Sequence, residues 1–231
     1  MWNEKLKAVT FSFDDGVTQD KRLIAIFNKY NLKSTFNINS SLLGTKNKVI
    51  VDGRDISHNK ILPKEVKETY KGHEVAVHTL THPLLPSLDD DTVVWQVEED
   101  RKALSSLVGY EVKGMAYPCG GVNNDERVAE IVKNHTGVKY SRTITSSHSF
   151  DLQTNLIRFN PTVNFTEVDK MFALADEFIS LNPSEPKLFY IWGHSYEMDS
   201  DRISWEKFEE FCKLISNKKD IFYGTNSETL L

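Results

Sequence analysis

The sequence predicts an α/β fold on a parallel sheet, either closed as a barrel or doubly wound. Three observations lead there. Segments of strand character alternate with segments of helical periodicity, joined by short connections. Lys187-Leu188-Phe189-Tyr190-Ile191-Trp192 is almost wholly apolar, as suits a strand buried on both faces. Ala8 to Phe13 runs straight into Asp14-Asp15-Gly16, which sets two acids at a strand's C-terminal tip, where such folds carry their chemistry. A chain of 231 residues suits one well-buried core, and we expect a single domain over 1–231.

Each element has its own warrant. In the first strand Val9, Phe11 and Phe13 alternate with Thr10 and Ser12, the period of a half-buried strand. Leu23, Ile26, Phe27 and Tyr30 give a helix over 18–30, and Lys33 to Ile38 reads as the second strand. Residues 40–60 are polar, with Gly44, Asp52 and Gly53, and read as a long loop or short excursion. Pro63 opens a helix that Val66 and Tyr70 continue. Gly72 to His78 is the third strand. Residues 89–108 form the clearest helix, with Val93, Val94, Val97, Leu104 and Leu107 inward and the run Glu98 to Lys102 on a solvated face. Val112 to Tyr117 is a strand stopped by Pro118, and a helix from about 124 to 135 ends near Gly137. Val138–Ile144 and Leu156–Phe159 are short extended pieces. Helices cover 166–181 and 204–217, and Ile221-Phe222-Tyr223 is the last strand.

Composition narrows the function. A net charge of -5 argues against a nucleic-acid or anionic-membrane partner. No apolar run reaches the roughly 18 residues that a span requires. Met1 to Lys7 is polar, without an apolar signal core or cleavage site, so we expect an intracellular, cytoplasmic chain. Cys119 and Cys212 allow at most one disulfide and have no metal spacing. Glycine-rich phosphate signatures are absent. The oligomeric state stays open.

Four stretches carry chemistry. Two adjacent carboxylates in a dry site need a cation or a shared proton, and a metal is the simplest compensation for Asp14 and Asp15. His78-Thr79-Leu80-Thr81-His82-Pro83 follows an apolar strand; two imidazoles and one carboxylate make a facial metal site with open positions. In Gly114-Met115-Ala116-Tyr117-Pro118-Cys119-Gly120-Gly121 a strand ends in a turn whose backbone N–H groups can stabilise an oxyanion. Ile191-Trp192-Gly193-His194 delivers one histidine to the tip of a core strand, a candidate general acid. Trp192 and Tyr196 either stack on a sugar ring or pack the core, and Glu197 either binds a substrate hydroxyl or caps a helix. His58, His73, His135 and His148 have no partner visible in the sequence.

In order, these stretches resemble the polysaccharide deacetylases, the NodB-homology domain of carbohydrate esterase family four. The family pattern T-F-D-D-G faces Ser12-Phe13-Asp14-Asp15-Gly16, H-[ST]-x-x-H-P faces His78 to Pro83, and the last motif, an apolar strand then His, falls at His194. The resemblance spans about residues 6–225. It implies a distorted (β/α)7-type, TIM-like barrel and one divalent metal ion, commonly zinc. It implies Asp14 as general base, Asp15, His78 and His82 as metal ligands, His194 as general acid, and the Cys119 N–H as an oxyanion donor. Tyr117, Pro118, Cys119, Arg142 and Trp192 are the candidates around the oxyanion and substrate. The family's third motif commonly carries an arginine that orients the base; Ala116 stands in its place, and Cys119 in that of an aromatic. Arg142 either supplies the guanidinium from another strand or makes an ordinary surface ion pair. The fourth motif is not recognisable between 140 and 165. We therefore expect a metal-dependent hydrolase that deacetylates an N- or O-acetylated carbohydrate. The alternatives are a hydrolase of small non-sugar amides and a catalytically silent carbohydrate-binding barrel.

Overall fold

Strand β1 (Lys7–Asp14) is the spine of the fold in the computed structural model, which describes residues 2–231 and so leaves Met1 outside. After β1 come α1 (Asp20–Lys29), β2 (Thr35–Ile38), the pair β3 (Lys48–Val51) and β4 (Arg54–Ser57), and α2 (Val66–Thr69). Then follow β5 (Glu74–Val77), α3 (Asp90–Val108), β6 (Gly114–Ala116), α4 (Glu126–His135), β7 (Tyr140–Arg142) and β8 (Val163–Asn164). The chain closes with α5 (Val168–Ser180), β9 (Lys187–Gly193), α6 (Trp205–Ile215), β10 (Ile221–Tyr223) and α7 (Asn226–Leu230).

The main sheet runs β7-β6-β5-β2-β1-β9-β8, every pair parallel, with β10 added to the first half of β1. Its two ends approach through the segment that leads into β8: Phe159 N–H donates to the Ser141 carbonyl and Thr143 N–H to the Phe159 carbonyl, both at 2.9 Å. The sheet thus curls into a distorted seven-stranded barrel, and the doubly wound alternative falls away.

All eight residues of β1 are buried, so the half-buried reading of its alternation is corrected. Phe11 and Phe13 face the surrounding helices, with ring centroids 4.8 Å from Phe27 and 5.8 Å from Phe208. Thr10 and Ser12 face the barrel interior, where Asn226 and Asn37 each donate to their hydroxyls at 2.8 Å. The polar face of the strand lines a polar interior instead of solvent. The apolar core lies between sheet and helices, and Phe208 is wholly enclosed there; truncating such a ring costs about 3–5 kcal/mol.

Helix α3 starts at Asp89, whose carboxylate accepts from Thr92 N–H at 2.9 Å, and stops at Gly109, which takes the left-handed φ of 84°. Asp100 departs from the solvated face expected for its charge run. It is fully buried and accepts from the N–H groups of Ser40 (2.7 Å) and His78 (3.1 Å). Residues 48–57 form an antiparallel hairpin instead of a loop. Asp52 and Gly53 at its tip both have positive φ, as a two-residue turn of this hand requires. Leu156–Arg158 is a short 3-10 turn, not an extended piece. The final helix α7 begins with a capping box between Thr225 and Glu228 and sets Asn226 into the barrel beside Thr10 and Tyr190.

Candidate active site

The C-terminal tips of β1, β5, β6, β7 and β9 surround a cleft of about 260 Å³. Asp14 ends β1, in register with Asn37 of β2. Its Oδ1 accepts from Asn37 Nδ2 at 2.8 Å and its Oδ2 from the Arg142 guanidinium. Arg142 is wholly enclosed, which excludes the surface ion pair. Its Nε donates to Ser12 Oγ at 3.2 Å, its Nη1 to the Thr143 carbonyl at 2.9 Å, and its plane lies 4.4 Å from the Trp192 ring. Arg142 therefore sits under the carboxylate and out of a substrate's reach, and one face of Trp192 is taken by it. Burial opposes ionisation of Asp14, but Arg142, with His78 and His194, outweighs it and holds the acid below its ordinary range.

Asp15 follows with a left-handed φ of 82°, and Gly16 with 63°. A Cβ at Gly16 would stand 2.8 Å from Ile38 Cγ2, so the turn requires glycine. Asp15 Oδ2 meets His58 Nε2 at 3.1 Å. Lys60 Nζ donates to the Asp15 carbonyl at 2.6 Å and lies 3.5 Å from Oδ1. Burial again opposes ionisation, and His58 and Lys60 overcome it, so Asp15 stays well below the usual carboxylate range.

His78 follows β5. Its Nδ1 lies 2.9 Å from the Ala116 carbonyl, which can only accept, so the proton sits on Nδ1 and Nε2 is bare. Burial pushes its pKa down to about 4 and also lowers that of His82, so both rings are neutral, the ligand form. Thr79 and His82, at φ of 68° and 61°, turn the chain so that the two rings lie 4.9 Å apart. Asp15 Oδ1 is 3.8 Å from His78 Nε2 and 3.6 Å from His82 Nε2. Donors sharing one zinc at about 2 Å stand about 3.4 Å from one another, so this set fits a small cation. It is the one such cluster among the described residues, its ligand atoms all within 4.8 Å. A larger cleft of about 570 Å³ lies outside the barrel beside α4, and none of this cluster lines it.

The crowded carboxylates alone no longer argue for an ion. Arg142 compensates Asp14 and Lys60 compensates Asp15, so the chain supplies both counter-charges itself. The case for a metal rests on the geometry of the three donors.

In the turn after β6, Tyr117 N–H is used by the Arg142 carbonyl at 3.0 Å, and Pro118 has none to give. Asn123 Nδ2 holds the carbonyls of Tyr117 (3.2 Å) and Cys119 (2.9 Å). Cys119 takes a φ of 68°, and among the described residues nothing accepts its N–H. The Tyr117 hydroxyl is tied to the Ile157 carbonyl at 2.9 Å. His194 stands across the cleft, Nε2 3.9 Å from Asp14 Oδ2 and Nδ1 3.0 Å from Glu197 Oε2. Burial disfavours its charged form, but Glu197, then Asp15 and Asp14, raise its pKa to about 9. Glu197 is itself held by Arg202 Nη1 at 2.6 Å.

The structure thus brings together Asp14, Asp15, His78, His82, Cys119 and His194, with Tyr117 and Trp192 at the cleft wall. His58, Lys60 and Asn37 join them unannounced by any motif, and Glu197, expected to bind a substrate hydroxyl or cap a helix, instead pairs with His194 and Arg202. His58 and Lys60 depend on the hairpin, whose signal was Asp52-Gly53 between alternating residues. His73 and His148 bond elsewhere, to Ser34 N–H and to Glu167.

Comparison with known proteins gives the family and the fold. The family model described as polysaccharide deacetylase matches residues 3–140, more than half of the chain but short of Arg142, Trp192 and His194. A peptidoglycan-N-acetylglucosamine deacetylase, PgdA, of Listeria monocytogenes is 29% identical over 126 residues, 54% of this chain and 23% of that protein. The chain thus spans about a quarter of the length of the curated relatives it matches. A solved Mycobacterium smegmatis chain superposes with a TM-score of 0.64 at 16% identity, covering 98% of this chain and 89% of that one. A family 4 carbohydrate esterase from Streptomyces lividans, in complex with acetate, gives 0.57 at 13% identity, covering 96% and 92%. Both likenesses are of fold.

Proposed function

Because the chain belongs to the polysaccharide deacetylase family, we propose that it is a metal-dependent hydrolase that removes an acetyl group from an acetylated carbohydrate. The observation that carries this reading is the Asp15–His78–His82 donor set facing an ionised Asp14 on one side and His194 on the other. The Listeria relative's name points to an N-acetylated amino sugar as the first substrate to try. The donor set of two imidazoles and a carboxylate suits zinc.

Asp15, His78 and His82 would hold a divalent ion, which would supply Lewis acidity and a more acidic water. Asp14, kept ionised by Arg142 and aimed by Asn37, takes a proton from the attacking water. The free N–H of Cys119 donates to the oxyanion that develops on the acetyl carbonyl. His194, kept protonated by Glu197, donates its Nε2 proton to the departing nitrogen or oxygen, and acetate leaves. Asp14 then passes the proton it took from water to His194, 3.9 Å away, and the acid proton of the released acetic acid goes to the freed amine or to solvent, so both side chains return to their starting forms.

The test is acetate release by the zinc-loaded chain from N-acetylated chito-oligosaccharides, peptidoglycan, O-acetylated xylan and a panel of small amides. Release from an acetylated glycan, stopped by a chelator and restored by metal, is expected. Cleavage of small amides alone would favour the non-sugar hydrolase. Glycan binding without release would favour the silent barrel.

A further inference from the structure

We propose that His58, carried by the segment that leaves the hairpin, is a positioning residue for the metal site: it holds one oxygen of Asp15 so that the other faces His78 and His82. The inference rests on the metal-dependent reading above. A carboxylate can only accept here, so the proton of the 3.1 Å contact lies on His58 Nε2 and points at Asp15 Oδ2. The opposite oxygen, Oδ1, is the one that approaches both imidazoles, at 3.8 and 3.6 Å. Without the His58 bond, the Asp15 carboxylate could turn about Cβ–Cγ away from the orientation that sets one oxygen toward both imidazoles. With it, Asp15 offers a single, fixed oxygen.

The backbone shows that the contact is built in. Lys60 bridges Val17, Thr18 N–H donates to the Asn59 carbonyl at 2.8 Å, and Ile61 N–H to the Gly16 carbonyl at 2.9 Å. The segment that follows His58 is therefore strapped, through Asn59, Lys60 and Ile61, to the residues directly after Asp15. His58 N–H is itself fixed by the Asn47 carbonyl at 2.9 Å. The His58 ring stands edge-on to Tyr196, centroids 4.9 Å apart, which limits its swing. Lys60, from the same segment, fixes the Asp15 carbonyl in its left-handed conformation at 2.6 Å. One short strap therefore sets both the backbone and the side chain of one ligand.

The experiment compares H58Q, which keeps an N–H donor, with H58L, which is of similar size and has none. Zinc affinity of each metal-free chain is read by competition with a chromogenic chelator, alongside circular dichroism. H58L is expected to lose about 10–100-fold in zinc affinity while H58Q stays near the wild type. A purely structural role would move both variants together. Equal zinc affinity in wild type, H58Q and H58L would overturn the proposal and leave the metal reading standing. A wild-type chain that takes up no zinc would overturn both.

Discussion

Ala116 and Arg142 stand side by side in register on β6 and β7, and the guanidinium of Arg142 crosses the barrel to Asp14. The position at which the family resemblance leads one to expect an arginine holds alanine, and the next strand sends a guanidinium to Asp14 instead. Activity lost in R142A should return in part in A116R/R142A, where the guanidinium sits one strand over. In R142M the base loses its main counter-charge, so burial raises the Asp14 pKa and the acid limb of the rate profile moves to higher pH. The fold should also lose about 3–5 kcal/mol, the cost of leaving a buried charge alone, readable in a denaturant titration.

Asp14→Asn removes the proposed proton acceptor and leaves Asp15, His78 and His82 in place. Turnover should fall at least about a hundredfold, the weight of a positioned base. Metal content, measured by elemental analysis, should match the wild type. A fully active D14N chain would remove Asp14 from the chemistry.

Glu197→Gln tests the general acid. His194 is raised to about 9, so its proton is present below that pH and lost above it. Removing the Glu197 charge lowers this pKa, and the alkaline limb of activity should shift to lower pH. The same pair contributes stability that is complete below the ordinary histidine value near 6.5 and disappears as pH rises through about 9. The wild-type melting temperature should fall over that interval more than that of E197Q.

Gly16→Ala tests the turn between the ligand strand and its helix. A φ of 63° and a Cβ 2.8 Å from Ile38 act together, and a loss of about 1–2 kcal/mol or more is expected. In a chain of this length that is a fall of several degrees in melting temperature. An unchanged melt would mean that Ile38 moves aside freely.

Much of this was readable in the residues. The strand tips announce themselves because β1 ends in Asp14 and β5 and β9 run directly into His78 and His194. The polar supports do not. Ser12 and Asn37 look like the solvent side of half-buried strands, and only closure of the barrel turns them inward. Asp100 hides in a run of charges because helical periodicity cannot tell an acid on solvent from one that receives two backbone N–H groups. β8 has two residues, too few for any period, and α7 shows itself only by its capping box.

Asp15, Thr79, His82 and Cys119 all bear side chains in a backbone region that suits glycine. Each such residue costs about 1–2 kcal/mol; Asp15, His82 and Cys119 line one cleft, and Thr79 lies buried beside His78. Robustness and reactivity are thereby set against each other at the same few positions: a glycine at Asp15 would relax the backbone but leave the buried Lys60 without its carboxylate and the cleft without a donor. At the opposite end α7 sets Asn226 among Thr10, Thr35 and Tyr190, so the barrel is filled there with bonded polar groups while its functional cleft opens at the other mouth.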